Sequence, residues 1–272
     1  MSAPAERLAS PTRLLPLRVY VRGPARMVER SLLVYRHTWY VIVTGFFEPV
    51  FYLLSIGLGL GRVVGDLTFD GRAVHYAAFV APALLATSAM NGAVYDSTGN
   101  VLYKLKYTKL YDTALTAPRT LADVALGEIS WATLRGTLYT VGFLMVMVAA
   151  GLTHSWWVLL AVPAAMLMAA AFAAIGMACT TFMRGFADLE LMLLVQLPLF
   201  LFSATFYPLG TYPRWLQLTV EALPTYHGVD LVRSLALGRA HIGLLGHVAY
   251  LVAMAGVGLL VLARRLAKLL LH

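Results

Sequence analysis

The feature that most constrains this chain of 272 residues is a series of six apolar stretches, each 18 to 27 residues long. They cover residues 39–60, 76–95, 129–150, 156–182, 189–206 and 243–263. A helix needs about 20 apolar residues to cross a hydrocarbon core of about 30 Å, and lipid offers backbone groups no partner outside the helix. Charged residues make up only 12% of the chain, about half the usual share in soluble domains. The sequence therefore predicts an all-α membrane protein with six transmembrane helices.

The predicted spans divide the chain into four regions. Residues 1–24 are predicted to form a flexible cytoplasmic tail. Residues 25–38 are predicted to form an amphipathic helix in the membrane interface, because charged and apolar residues alternate there; an ordinary solvated helix is the alternative. Residues 39–263 form the six-span domain, and residues 264–272 form a basic cytoplasmic tail.

Basic residues are distributed unevenly between the two sides of this layout. With an even number of spans both termini share one side, which carries 15 lysines and arginines, whereas the other side carries five. Because loops rich in lysine and arginine stay in the cytoplasm, both termini are predicted to be cytoplasmic. The same asymmetry explains the net charge of +8 without a nucleic-acid partner.

Sequence motifs for catalysis are missing. None of the four lysines follows a glycine, as the phosphate-binding pattern G-x-x-x-x-G-K-[ST] requires. The chain also has no G-x-S-x-G, no H-E-x-x-H and no cysteine–histidine cluster at zinc spacing. We therefore expect no catalytic residues, no metal site and no enzyme activity in this chain.

Four polar side chains inside the predicted spans are candidate functional residues: Glu48, Asn91, Arg135 and Gln196. An ionised Glu48 costs several kcal/mol unless it meets a partner or water. Arg135 lies about 10 Å into its span and Glu48 about 13 Å into its own, from the same side. We therefore hypothesise that Glu48 faces Arg135 across a helix interface or a hydrated cavity, with Glu48 in a structural role or in gating or substrate contact. Asn91 and Gln196 either line a polar path or make ordinary interhelical hydrogen bonds.

Two connections between spans are long enough to have structure of their own. The cytoplasmic one, residues 96–128, is amphipathic and rich in lysine, tyrosine, threonine and aspartate. The external one, residues 207–242, contains three prolines and therefore cannot form one continuous helix. Its apolar residues favour partial burial.

Two sequence segments, together with the six-span layout, resemble one known family. The segments are YDSTGNVLYKLKYTKLYDTALTAPRTLADVALGE at 95–128 and TFYPLGTYPRWLQLTVEALPTYHGVDLVRSLALG at 205–238. They resemble the membrane subunit of a type-2 ABC exporter, in the branch that includes nodulation lipo-oligosaccharide and daunorubicin exporters, from residue 25 onward. The more specific signal is an external motif of six residues: Phe206, Pro208, Pro213, Pro224, Arg233 and Gly238. The resemblance implies that this region forms short re-entrant helices before the last span.

The resemblance also implies partners and a mechanism. A separate ATP-binding subunit, which holds ATP and magnesium, docks against residues 96–128. The expected coupling residues are Lys109, Tyr111, Asp112, Pro118 and Arg119. A basic loop held at anionic lipid is the alternative. A second permease copy, identical or related, completes the transporter in the bacterial plasma membrane, with the cargo path near the first, second and fifth spans.

Three functions are weighed on this basis. The first is ATP-driven export of an amphipathic cargo: a lipid, a lipid-linked glycan or a hydrophobic drug. The second is a secondary transporter or channel driven by an ion gradient, with Glu48 and Arg135 as its coupling groups. The third, a membrane enzyme acting on lipids, would need a nucleophile or metal constellation that the sequence lacks.

Overall fold

A computed structural model of the chain describes residues 17–69, 71–111, 120–153 and 155–270. The described chain is mostly helical, which confirms the predicted fold class in its main feature. Its helices are α1 (Leu17–His37), α2 (Trp39–Tyr52, continued by Leu53–Leu60 and Gly61–Val64), α3 (Tyr76–Tyr95, continued by Asp96–Asn100 and Tyr103–Tyr107), α4 (Leu121–Ala149), α5 (Ala161–Thr180), α6 (Ala187–Leu201), α7 (Arg214–Glu221), α8 (Pro224–Ala236) and α9 (Leu244–Leu270). Short 3₁₀ turns lie at Trp156–Leu160 and Leu209–Thr211.

Among the described residues, five helices are long and apolar enough to cross a membrane. They are Phe47–Val64, Tyr76–Tyr107, Ala122–Ala149, Trp156–Thr180 and Leu244–Leu266. The fifth predicted span, 189–206, corresponds to α6, which has 15 residues and is about 22 Å long. That length is less than the hydrocarbon thickness of about 30 Å. The chain leaves α6 at Phe202 and continues in irregular bends to residue 207.

Helix α3 is the centre of the bundle. In its most apolar stretch 94% of the residues are buried, and it packs against α4, α5 and α8. Small residues allow this close packing. A Cβ added to Gly136 of α4 would lie 2.7 Å from the carbonyl oxygen of Ala89 in α3, and one added to Gly92 would lie 2.7 Å from the Tyr139 ring. The α3–α4 contact therefore depends on glycine at these two positions.

A short β-hairpin follows α2, and the all-α prediction did not include it. Its strands, β1 (Asp66–Phe69) and β2 (Arg72–His75), pair antiparallel with Asp66 opposite His75. Gly71 lies in the turn with φ of +74°, a conformation that favours glycine. The strands have four residues each, and they occupy a connection that the sequence pattern assigned no structure.

The helices at the two ends of the described chain extend beyond the predicted boundaries. Helix α1 begins at Leu17, so the eight residues before position 25 that were assigned to a tail are helical. Its buried residues Met27 and Ser31 face the bundle, and the Tyr35 ring lies 5.0 Å from the Trp131 ring of α4. Helix α9 continues to Leu270, so most of the predicted tail at 264–272 is helical as well.

The segment 207–242 forms the short helices α7 and α8, in agreement with the break that its prolines predict. Pro213 immediately precedes α7, and Pro224 occupies the first turn of α8, where a missing N–H costs nothing. Gly238 follows α8 with φ of +74°, as a glycine that ends a helix does. This segment and the hairpin lie at one end of the bundle, called here the hairpin end, where Arg239 donates a hydrogen bond of 2.8 Å to the Phe69 carbonyl.

Candidate functional site

A cavity of about 490 Å³ lies between α2, α3, α4 and α6. It is lined by all four polar residues that the sequence placed inside the spans: Glu48, Asn91, Arg135 and Gln196. The rings of Tyr95 and Tyr139 complete the polar part of the wall, and α6 contributes leucine and methionine side chains. The four residues come from four different helices, so only the folded bundle brings them together.

Arg135 forms a buried ion pair with Asp96. Its Nη1 lies 2.8 Å from the Asp96 Oδ1, and the two residues are 3% and 2% exposed. Arg135 also donates hydrogen bonds to the hydroxyls of Tyr139, at 2.8 Å, and Tyr35, at 3.1 Å. Because two buried charges are tolerated only when paired and hydrogen-bonded, this network accounts for the arginine in the bundle. Tyr35 also ties α1 to the pair, since its hydroxyl lies 3.3 Å from the same Asp96 oxygen.

The carboxylate in direct contact with Arg135 is that of Asp96, and the hypothesis that Glu48 faces Arg135 across a helix interface or a hydrated cavity stays a prediction. Glu48 and Arg135 line the same cavity. Asp96 was assigned to the cytoplasmic connection because the polar run DSTGN follows Tyr95 directly. The signal that could have corrected this is the apolar pattern beyond the run, where Val101 and Leu102 are again buried.

Glu48 has no hydrogen bond or ion pair to any described residue. It lies on the exposed side of α2, at the point where the polar cavity meets a second, more open groove. The groove is lined by Phe47, Phe51, Tyr52 and Ile56, with Ser55 among them. Glu48 therefore lies at the boundary between the polar cavity and the apolar groove.

The amides of Asn91 and Gln196 contact each other across the cavity. The Gln196 Nε2 donates a hydrogen bond of 2.6 Å to the Asn91 Oδ1. This contact joins α6 to α3, and α6 has no buried residue of its own. The sequence analysis proposed polar lining and interhelical hydrogen bonding as alternatives for these residues, and the structure shows both.

Arg233, in the external motif, is a buried cation held by backbone carbonyls. It is 1% exposed, and it donates hydrogen bonds to the carbonyls of Phe79, Ala204 and Thr205 at 3.1, 2.7 and 3.2 Å. Burial lowers its pKa to about 10, which leaves it protonated at neutral pH. Arg233 therefore fixes the irregular turn after α6, where Ala204 has φ of +56°.

The rest of the external motif surrounds this turn. Phe206 is buried, and its ring packs edge-on against the Phe200 ring at 5.3 Å. Pro208 directly precedes the short turn Leu209–Thr211. Pro213, Pro224 and Gly238 set the ends of α7 and α8, as described above. The motif is thus a structural unit that anchors the hairpin end.

A histidine pair at the hairpin end escaped the sequence analysis. The Nδ1 atoms of His227 and His247 lie 2.7 Å apart, and the His247 Nε2 lies 3.3 Å from the Asp230 carboxylate. Burial, and the neighbouring His247, lower the pKa of His227 below its usual value of 6.5. Sequence spacing gave no signal, because these residues belong to α8 and α9 and are 20 positions apart. Within the described part of the chain, no group of three His, Cys, Asp or Glu side chains is arranged to hold a metal ion.

Comparison with known proteins decides the family. Residues 25–237 match the family described as ABC-2 type transporter. This chain belongs to the ABC-2 type transporter family. It is similar to Nodulation protein J of Rhizobium leguminosarum bv. trifolii, with 31% identity over 205 residues, which cover 75% of this chain and 77% of the relative.

Two further relatives of this ABC-2 type transporter chain carry the same name. Nodulation protein J of Rhizobium leguminosarum bv. viciae is 31% identical over 228 residues, which cover 81% of this chain and 86% of the relative. Nodulation protein J of Sinorhizobium fredii (strain NBRC 101917 / NGR234) is 32% identical over 211 residues, which cover 76% and 78%. The resemblance drawn from the two sequence segments is confirmed, and the chain is the membrane subunit of an ABC transporter.

Two of the predicted coupling residues of this ABC-2 type transporter, Lys109 and Tyr111, lie at the end of the bundle opposite the hairpin, and the structure separates their roles. Lys109 is exposed and has φ of +47°, which marks the turn after α3. Tyr111 is 1% exposed and belongs to the core, so it is not available as a docking side chain. Burial, and the nearby Glu128 carboxylate, raise its pKa well above its usual value. Asp112, Pro118 and Arg119 lie outside the described residues.

Exposed aromatic rings at the same end of the ABC-2 type transporter offer a better contact surface. Tyr103 and Tyr107 are 51% and 54% exposed, and their rings lie 6.1 Å apart. The Tyr107 ring stacks on the Phe186 ring at 4.8 Å, and Phe186 lies just before α6. Phe186 was missed because it is distant in sequence from segment 96–128. Tyr103, Tyr107 and Phe186 are called here the aromatic row. Next to it, Lys104 pairs with Glu128 at 2.7 Å and holds the end of α3 against α4.

Proposed function

We propose that this ABC-2 type transporter chain is the permease subunit of an ATP-driven exporter that moves an amphipathic cargo out across the bacterial plasma membrane. A pair of permeases, identical or related, works with separate ATP-binding subunits that carry ATP and magnesium. Each permease has six spans, with α6 and the irregular residues after it as the fifth, and both termini are cytoplasmic. Helices α7 and α8 enter the outer leaflet as re-entrant helices.

One observation carries the proposal: the polar cavity between α2, α3, α4 and α6 opens at Glu48 onto an apolar groove on α2. A molecule with a polar head and an apolar chain matches both surfaces at once, whereas a small ion matches only the cavity. The cavity is also lined by the first, second and fifth spans, which is where the resemblance places the cargo path. A lipid, a lipid-linked glycan or a hydrophobic drug fits this description.

The aromatic row of Tyr103, Tyr107 and Phe186 supports docking of an ATP-binding subunit at the cytoplasmic end. Exposed aromatic side chains are common anchors of protein interfaces. Tyr103 and Tyr107 lie at the end of the 32-residue helix α3, and Asp96, the partner of Arg135, lies on the same helix about two turns before Tyr103. Movement of the docked subunit thus reaches the cavity through one continuous helix.

Transport in proteoliposomes tests the proposal. The full chain is reconstituted together with an ATP-binding subunit encoded beside it, and a fluorescent lysophospholipid serves as the transported probe. We expect ATP-dependent movement of the probe, which stops when the phosphate-binding lysine of the ATP-binding subunit is replaced. A protonophore is expected to have no effect.

The same assay separates the runner-up function. No described residue pairs with Glu48, and Glu48 lies within a membrane span, as an ion-coupling carboxylate does. Probe movement that continues without the ATP-binding subunit and stops with the protonophore would identify a secondary transporter instead, and would refute the exporter proposal.

A further inference from the structure

Among the described residues, the charges around the cavity leave one carboxylate without a counter-ion. Arg135 is the cation of the cavity wall, and its charge is matched by Asp96 at 2.8 Å. Lys104, on the same helix as Asp96, is paired with Glu128 at 2.7 Å. Glu48 is the remaining charged residue of the lining, and no described residue pairs with it. With Glu48 ionised, the site as a whole carries an excess negative charge.

The other polar groups of the cavity do not offset this excess. One hydrogen bond joins the Gln196 Nε2 to the Asn91 Oδ1, and both amides are neutral, so they leave the net charge of the site unchanged. The Tyr95 and Tyr139 rings already face the Arg135 guanidinium, at 5.2 and 5.5 Å from its central carbon. An anionic head group would have to compete with Asp96 for Arg135, while it faces the Glu48 carboxylate. A cationic group would instead meet the Glu48 carboxylate, with the Phe47 and Phe51 rings of the groove beside it.

Glu48 lies where the alkyl chain of a bound amphiphile could leave the cavity. The residue borders the groove in which the Phe47 and Phe51 rings stack at 5.8 Å, one turn apart on α2. A head group held at Glu48 from inside the cavity therefore leaves its chain along these rings. The groove gives such a chain apolar side chains to pack against.

We propose that this site selects amphiphiles with a positively charged head group, an ammonium in its simplest form, with Glu48 as the residue that determines specificity. The inference rests on the proposed function, since it names the chemical class of the cargo. Glu48 binds the cation, the cavity accommodates the head group, and the groove at Phe47 and Phe51 holds the alkyl chain.

Ligand retention by the isolated permease tests this selectivity without any ATP-binding subunit. The full chain is released from phosphatidylcholine nanodiscs in a native mass spectrometer, after incubation with one of three probes that share a tetradecyl chain. The probes are tetradecyltrimethylammonium, tetradecyl maltoside and tetradecyl sulfate. We expect the ammonium probe to bind about tenfold more tightly than the other two, because one ion pair in a poorly solvated site is worth about that factor.

Variants assign the effect to individual residues. E48Q keeps the shape of the side chain, and we expect it to remove the preference for the ammonium probe. E29Q, on the exposed face of α1, is the matched control and is expected to retain the preference. F51A is expected to weaken all three probes alike, because it shortens the groove and leaves the charge intact. Size-exclusion profiles establish that each variant is folded.

Three results would overturn the inference: equal retention of the three probes by the wild-type chain, preference for the maltoside or sulfate probe, or an unchanged ammonium preference in E48Q. None of these depends on ATP. Selective retention together with ATP-independent transport would refute the exporter proposal and leave the head-group selectivity standing, so the two failures are distinguishable.

Discussion

Arg135 of α4 and Asp96 of α3 form an ion pair of 2.8 Å at the point where α3 changes to wide π-helical turns, at Asp96–Asn100. Such turns are frequent at functional sites, because they redirect side chains that a regular helix would place elsewhere. Tyr35 joins both partners from α1. One buried pair thus fixes the relative positions of three helices beside the cavity.

Removal of one partner from this pair leaves a buried charge without compensation. We expect D96N to lower the free energy of unfolding by about 3–5 kcal/mol, measured by denaturant unfolding in detergent micelles. The matched control is D66N in the exposed hairpin, which should change stability by less than about 0.5 kcal/mol. The double variant D96N/R135Q should recover part of the loss, because it removes the orphaned charge. Equal stability of D96N and D66N would contradict the ion-pair assignment.

The contact between α3 and α4 predicts a strong effect of a single methyl group. G136A places a Cβ at 2.7 Å from the Ala89 carbonyl oxygen, which is backbone and cannot move aside. We expect a loss of about 1–3 kcal/mol in the free energy of unfolding, seen as a lower midpoint of thermal unfolding. G256A on α9 is the control, because nothing lies within 4 Å of its added Cβ. There the better helix propensity of alanine should leave stability equal or higher.

The His227–His247 contact predicts a stability that depends on pH. A lowered pKa means that folded His227 binds a proton less readily than the unfolded chain does. The contribution of neutral His227 to the free energy of unfolding is therefore complete above about pH 6.5. It is lost as the pH falls through 6.5 toward the pKa of the folded state, with a slope of at most about 1.4 kcal/mol per pH unit. Thermal unfolding between pH 7.5 and 5.5 measures this change.

Variants of two histidines separate this effect from general acid sensitivity. The groups that face the pair are Asp230, Tyr226 and Tyr250, and Asp230 stays ionised over this pH range because its pKa is lowered. H227Q should flatten the decline in stability between pH 6.5 and 5.5. H37Q, a change of an exposed histidine on α1, should leave the decline as it is in the wild-type chain.

The two kinds of tyrosine near the cytoplasmic end predict different defects. Y103A and Y107A should weaken co-purification of the ATP-binding subunit about tenfold without loss of permease stability, because both rings are exposed. Y111A should instead destabilise the permease by about 3–5 kcal/mol, because Tyr111 is in the core. Y207A, an exposed tyrosine at the hairpin end, is the control and should bind the subunit normally. Normal binding by Y103A and Y107A would place the docking surface elsewhere.

The sequence predicted the helical membrane fold and the polar groups that line the cavity. Continuous apolar stretches decide the location of most spans, and a polar residue inside such a stretch must face other protein or water. Glu48, Asn91, Arg135 and Gln196 were therefore recognised individually and are found in one place.

What the sequence did not provide was the pairing of these groups. Asp96 begins a polar run that looks like the end of a span, but the helix continues because Arg135 satisfies the carboxylate and Thr180 donates to the Ser97 carbonyl. The family resemblance implied that Tyr111 is a docking residue, whereas the structure buries it near Glu128 of α4 and Arg30 of α1. Tertiary contacts of this kind have no periodic signature along the chain.

The 32-residue extent of α3 has a mechanical consequence. A helix of about 48 Å exceeds the thickness of the hydrocarbon core by roughly 18 Å. Neighbouring helices pack against it along the part that lies within the membrane. Because α3 packs against α4 and α5 and the Lys104–Glu128 pair joins its end to α4, we expect a force on that end to move the three helices together. We expect α6 and the first half of α2, which are packed less tightly, not to follow this movement. The bundle would then open at the boundary beside Glu48.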